Sequence, residues 1–119
     1  MYVDTVDWLQ DPWDVAACPR TGHLFISDWE SDCIWRVSAA DGRANQLIRD
    51  VGRAPRLSAT VDGELVAASD RGVTVYGAVD GNQLRHVTLD GDARHAVMVA
   101  ASQTTCYVVC YYPQHEVPL

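Results

Sequence analysis

Residues 12–53 read PWDVAACPRTGHLFISDWESDCIWRVSAADGRANQLIRDVGR, residues 55–94 read PRLSATVDGELVAASDRGVTVYGAVDGNQLRHVTLDGDAR, and the second stretch repeats the first. Val15-Ala16-Ala17 superposes on Leu57-Ser58-Ala59, Leu24 to Ser27 on Leu65 to Ala68, and Ile34-Trp35-Arg36-Val37 on Val73-Thr74-Val75-Tyr76. Asp41-Gly42 falls on Asp80-Gly81. A third copy opens at His95, with Tyr107-Val108-Val109 in the place of Leu24-Phe25-Ile26, and is expected to end after its second strand. Within each copy, short segments rich in Val, Ile, Tyr, Trp and Thr are divided by Pro19-Arg20-Thr21-Gly22, Asp41-Gly42, Asp62-Gly63, Asp70-Arg71-Gly72, Asp80-Gly81 and Asp90-Gly91-Asp92. Asp-Gly makes turns because Gly accepts positive φ and the Asp carboxylate bonds back to its own turn. The predicted strands are 13–18, 23–28, 33–38, 45–51, 56–61, 64–69, 73–77, 83–89, 96–101 and 106–112.

No stretch of eleven or more residues keeps a helical apolar stripe free of Gly, Pro or Asp-Gly. A period of about 40 residues with four strands per copy is the pattern of β-propeller blades. The second strand of a blade is covered on both faces, so it loses polar alternation. His23-Leu24-Phe25-Ile26, Leu65-Val66-Ala67-Ala68 and Cys106-Tyr107-Val108-Val109 do so. The expected fold is all-β: antiparallel four-stranded blades forming an incomplete β-propeller segment. Its units are a blade at 12–54, a blade at 55–94 and a half blade at 95–119, with 3–11 as the outer strand of a preceding blade.

At 119 residues the chain has room for a single domain. Sixteen acidic residues stand against nine basic ones, all Arg, for a formal charge of −7. Duplex DNA carries a phosphate roughly every 1.7 Å and calls for a basic surface, so the balance argues against non-specific nucleic-acid binding. The apolar runs 96–101 and 106–112 are far shorter than the roughly 20 residues that span a bilayer as a helix. Asp4 and Asp7 interrupt the start of the chain, and no cationic apolar leader precedes them, which makes the cytoplasm the default expectation. Cys18, Cys33, Cys106 and Cys110 form no C-x-x-C pair. In one extended strand Cys106 and Cys110 stand roughly 13 Å apart, beyond the reach of a disulfide. The reading for all four is small buried hydrophobes, with a bridge from Cys18 or Cys33 to the later pair as the alternative.

The stretch HLFISDWESDCIWRVSAADG, residues 23–42, resembles an NHL-repeat blade, with an apolar inner strand, a step ending in Asp, a polar loop, I-x-R-V and Asp-Gly. It is also similar to the YWTD-type blade of lipoprotein-receptor-like proteins, with Phe25-Ile26-Ser27-Asp28, Arg36 and Asp41-Gly42 at the matching places. The resemblance covers roughly residues 12–112 and is close only in the first blade, since Asp70 is shifted by one and its loop is two residues shorter. It implies protein binding, with RNA binding in some relatives and metal-dependent lactonase or lyase chemistry in others. Rings of these families are usually six-bladed, so this chain is expected to be a fragment of a longer propeller, a divergent gene product, or a subunit that completes a ring with copies of itself.

Candidate chemistry is sparse. Asp28, Glu30 and Asp32 alternate like the start of a calcium loop, but Cys33 and Ala39 stand where an EF-hand needs Gly and Glu. His23, His86, His95 and His115 form no metal-ligand spacing, and His95 alone opens an inner strand. No catalytic set, metal or cofactor is therefore expected. Trp29 lies between acids in the loop joining the second and third strands, on the face that also receives the connections between blades. The expected binding face joins Trp29, Asp28, Glu30 and Asp32 to Trp13, Arg53, Arg56 and Arg94, residue types typical of interaction hot spots. The leading expectation is a non-enzymatic protein-interaction module. Its rivals are a remnant of a propeller hydrolase or lyase, and an RNA-binding surface built on Arg53, Arg56, Arg71 and Arg94. Self-association is expected as well, because CYVVCYY, at the open end of the array, is uncharged and β-prone.

Overall fold

The computed structural model describes residues 11–28, 32–38, 40–52, 55–69, 72–88, 96–101, 105–110 and 115–118. They form eleven strands: β1 (Pro12–Ala17), β2 (Leu24–Asp28), β3 (Cys33–Val37), β4 (Ala44–Arg49), β5 (Arg56–Ala59), β6 (Glu64–Ser69), β7 (Gly72–Gly77), β8 (Gln83–Val87), β9 (Ala96–Ala101), β10 (Thr105–Cys110) and β11 (His115–Pro118). Among the described residues there is no helix. Three antiparallel sheets run in the orders β1-β2-β3-β4, β5-β6-β7-β8 and β9-β10-β11. Each is a meander, as the Asp-Gly punctuation dictates. Gly42, Gly63 and Gly81 all take positive φ in these turns.

The ladders of the first two sheets share one register. Ala17 pairs with Leu24 and Val15 with Ile26, and in the second sheet Ala59 pairs with Leu65 and Leu57 with Ala67. Leu24 then pairs with Val37, as Leu65 does with Tyr76. The positions superposed from sequence alone are thus equivalent in space.

Side chains alternate between the two faces of a strand, and the pairings sort each blade into two faces. Phe25, Ile34 and Ile48 of the first blade join Leu57, Leu65, Ala67 and Tyr76 of the second in one buried cluster. The second blade is packed on both sides, because β5 and β6 also lie against β9 while β5 lies against β1. Leu65 through Ser69 are accordingly all buried, as expected for a second strand covered on both faces. In the first blade the same rule holds on one face only. Phe25 and Ser27 are fully buried, whereas Leu24 is 37% exposed. Side chains of Cys106–Val109, named in the same expectation, lie outside the described residues.

Two arginines tie the turns at one end of the blades. Arg20 donates to the Asp62 carbonyl at 3.1 Å, and Arg36 donates to the Val79 carbonyl. The expectation that the third copy stops at its second strand is corrected by β11, which pairs along β10 from Thr105↔Pro118 to Val108↔His115. HEVP is four residues long and ends in Pro, whose missing N–H suits an edge position and weakens the strand signal in sequence. The predicted strand 45–51 ends at Arg49 because Asp50 turns the chain at φ 57°. Cys18 and Cys33 are buried thiols in no disulfide, which removes the alternative of a bridge from either of them.

Candidate functional site

The loop face is the end at which β1, β5 and β7 begin and β2, β4 and β6 finish. β1 and β5, the first strands of adjacent blades, pack side by side there. That adjacency brings Arg56 over Trp13, with the guanidinium carbon 4.4 Å from the ring centroid. Stacking of this kind contributes about 0.5–1 kcal/mol at an exposed site and holds both side chains in one orientation. Trp13 remains 37% exposed. Together with Pro12, Asp14, Val15 and Ile26 it lines a shallow concavity of about 300 Å³. A second, more polar cleft of about 210 Å³ opens between the outer parts of the two blades. There the Thr74 hydroxyl lies 2.7 Å from His86 Nδ1.

Asp14 supports the Trp13–Arg56 pair from below. One carboxylate oxygen accepts the Leu57 N–H at 2.8 Å, crossing from the first blade to the second. The other accepts the Val15 N–H at 2.9 Å. Ser27 completes the knot: its hydroxyl accepts the Asp14 N–H at 3.0 Å. Sequence reasoning passed over Asp14, and the available signal was an acid inside the otherwise apolar first strand of a blade. Asp14→Ala leaves the Leu57 N–H without its acceptor, at a cost of about 1–3 kcal/mol. A melting curve is expected to fall by about 4–8 °C for each kcal/mol lost. A variant as stable as the parent contradicts this role.

The other expected residues are placed as follows. Asp28 is buried at 1% exposure, and its carboxylate accepts the Asp11 N–H at 3.0 Å. It anchors the chain entering β1; Ser69, also buried, occupies the equivalent place in the second blade. Asp32 sits in the left-handed region at φ 51°, and its carbonyl accepts the Val51 N–H at 3.1 Å, closing the turn into β3 against the end of β4. Trp13 and Arg56 are brought together. Trp29, Glu30, Arg53 and Arg94 lie outside the described residues, as do Arg71 and His95.

Cys18 shows why a perturbed thiol here is not a reactive one. Burial pushes it up, but hydrogen bonds from the Thr21 side chain and from the Thr21 and Arg20 backbone, with the Arg20 charge, outweigh burial and leave it lowered. At 1% exposure no reagent reaches it.

Four-stranded antiparallel sheets stacked through their first strands define an all-β, incomplete β-propeller segment. Neither a protein-family model nor a curated protein matches the sequence. The structure does match solved chains, among them the hydrazine synthase of Kuenenia stuttgartiensis, a β-propeller protein. The TM-score is 0.69 at 18% identity over 92% of this chain, a likeness of fold. This chain spans 33% of that one.

Proposed function

We propose that the chain is a non-enzymatic protein-interaction module of NHL-type propeller character, supplying part of a ring whose loop face recognises a protein. The observation that carries this reading is the Arg56–Trp13 stack, half-exposed at the start of two adjacent first strands. Trp and Arg are the residues most enriched among interface hot spots, and a pre-stacked pair loses little further freedom on binding. Asp14, beside Trp13 in β1, and Asp28, opposite Pro12, both accept backbone N–H groups and hold the strand that presents the stack.

A random peptide display library, selected against the full chain, tests the reading. Selected peptides are expected to lose on the order of tenfold or more in affinity when Trp13→Ala or Arg56→Ala is introduced, with the circular dichroism spectrum unchanged. Peptides that bind both variants as well as the parent contradict it. An RNA-binding surface would instead bind a single-stranded oligonucleotide with an affinity that falls steeply with salt.

A further inference from the structure

We propose that the polar cleft between the outer strands of the two blades is a binding site for one neutral sugar ring, a pyranose unit with neighbouring hydroxyls. The proposal goes beyond the loop-face reading, because the cleft is built from the end of β4 with β7 and β8 and uses neither Trp13 nor Arg56. Either can fail without the other.

The cleft has two walls. The first blade supplies Asp50 and Val51, directly after β4, and the second supplies Thr74, Tyr76, Gln83 and His86. On the second wall His86 lies opposite Thr74 and Gln83 opposite Tyr76, and residues paired across two strands share a face. That arrangement depends on a bulge. With Thr74 on His86 and Val75 on Arg85, a regular ladder would set Leu84 against Tyr76. The register shifts there, so Gln83 takes the place and Leu84 is left out of the ladder at 49% exposure. Bulges re-aim side chains in this way, and this one exchanges an apolar wall residue for an amide. The first blade shows the contrast. Its equivalent pairs are Trp35 with Gln46 and Val37 with Ala44, one amide beside an indole and two aliphatic groups.

Both walls are held in place before a ligand arrives. Thr74 is 7% exposed, and its hydroxyl lies 2.7 Å from His86 Nδ1, which fixes the ring and leaves Nε2 as the nitrogen a ligand meets. Across the cleft the Val51 N–H donates to the Asp32 carbonyl at 3.1 Å and so sets the chain that carries Asp50. Val51 and Tyr76, both buried in the core between the blades, make an apolar floor.

The chemistry of the lining selects the occupant. An anion would meet the Asp50 carboxylate, and no Arg stands among the described lining residues to offset it. A metal ion would want three or more ligands, and the described residues hold no such group of His, Cys, Asp and Glu. A cation would use Asp50 and leave Gln83 and His86 idle. Sugar hydroxyls both donate and accept, and so use the whole set. Gln83 does both, and His86 Nε2 does one or the other according to its tautomer. The Asp50 carboxylate has about four acceptor sites, enough for two neighbouring hydroxyls beside any bond it already makes. The C–H face of the ring meets Val51 and Tyr76. At about 210 Å³ the cleft is smaller than the roughly 300–1,000 Å³ of sites for drug-sized molecules, which limits the occupant to a single ring.

Amide spectra of the full isotope-labelled chain test this, titrated with the methyl glycosides of glucose, galactose and mannose and with N-acetylglucosamine. A ring of about a dozen heavy atoms is expected to bind with a Kd on the order of 1 mM. At least one of these probes is expected to shift the amides of Asp50, Thr74, Gln83 and His86 to saturation by about 100 mM, with Trp13 and Arg56 unmoved. High salt is expected to leave the affinity unchanged, because a neutral ligand is not screened. Gln83→Ala removes an exposed amide, and Asp50→Asn keeps a residue type that tolerates positive φ. Each is expected to weaken binding about three- to tenfold with an unchanged far-ultraviolet spectrum. Leu84→Ala, beside the wall but outside it, is expected to leave the Kd as it is. No saturable shift with any of the probes overturns the proposal. So does binding that survives both Gln83→Ala and Asp50→Asn undiminished, or methylguanidinium saturating the same amides where the sugars do not, which would make the cleft a cation site.

Discussion

Phe25→Ala is expected to cost about 3–5 kcal/mol, a large part of the stability of a domain this size. Phe25 is fully buried in β2, on the face of the first blade that meets the second. Truncation removes a ring from between Ile34 and Ile48 on its own blade and Leu57, Leu65 and Tyr76 on the next. Both blades are antiparallel sheets held by their own ladders, so neither can close over the void without breaking register. Urea denaturation measures the effect as a fall in the midpoint with little change in slope. A loss below about 1 kcal/mol would mean that the two blades are not packed through this cluster.

Gly72→Ala is the second large effect, and its origin is backbone. Gly72 opens β7 at φ 112°, a region closed to other residues, and an added Cβ would lie 2.3 Å from the Val87 carbonyl oxygen and 3.1 Å from the Thr88 Cα. Both obstacles are main chain of β8 and its exit, so relief requires moving the outer strand. The combined strain and overpacking come to about 3 kcal/mol or more. Thermal melting is expected to fall accordingly, with β8 amides losing hydrogen-exchange protection before those of β6. A variant that melts with the parent contradicts the placement of Gly72.

The blade repeat was legible because two kinds of signal agree at a common spacing. Asp-Gly turns set strand ends, and the apolar second strand set the middle of the blade. That agreement fixed Val15 against Leu57 and Leu24 against Leu65 without coordinates. β11 was not legible: four residues ending in Pro give too little alternation to stand apart from a tail. Trp13 and Arg56 were assigned to one face from up-and-down topology, which places strand ends but not side chains. Their stacking needed the sideways packing of β1 on β5. Asp14 and Asp28 show the converse limit. An acid in a strand reads as a solvent-facing position, and only the backbone donors at 2.8–3.0 Å, with Asp28 fully buried, show each to be a structural acceptor. Asp28, placed by its pattern in the binding face, holds the Asp11 N–H from a buried position, and the role of Asp14 shows only once its bond to the Leu57 N–H is seen.

The central claim is that the repeats stack as neighbouring blades, with β5 and β6 between the first blade and β9. Nuclear Overhauser contacts in methyl- and aromatic-labelled protein test it directly. The account predicts contacts from the Phe25 ring and the Ile34 methyls to the Leu57 and Leu65 methyls, with Val66 and Val73 showing none to the first blade. Contacts from Val66 or Val73 to Phe25, or none at all between the two repeats, would contradict it.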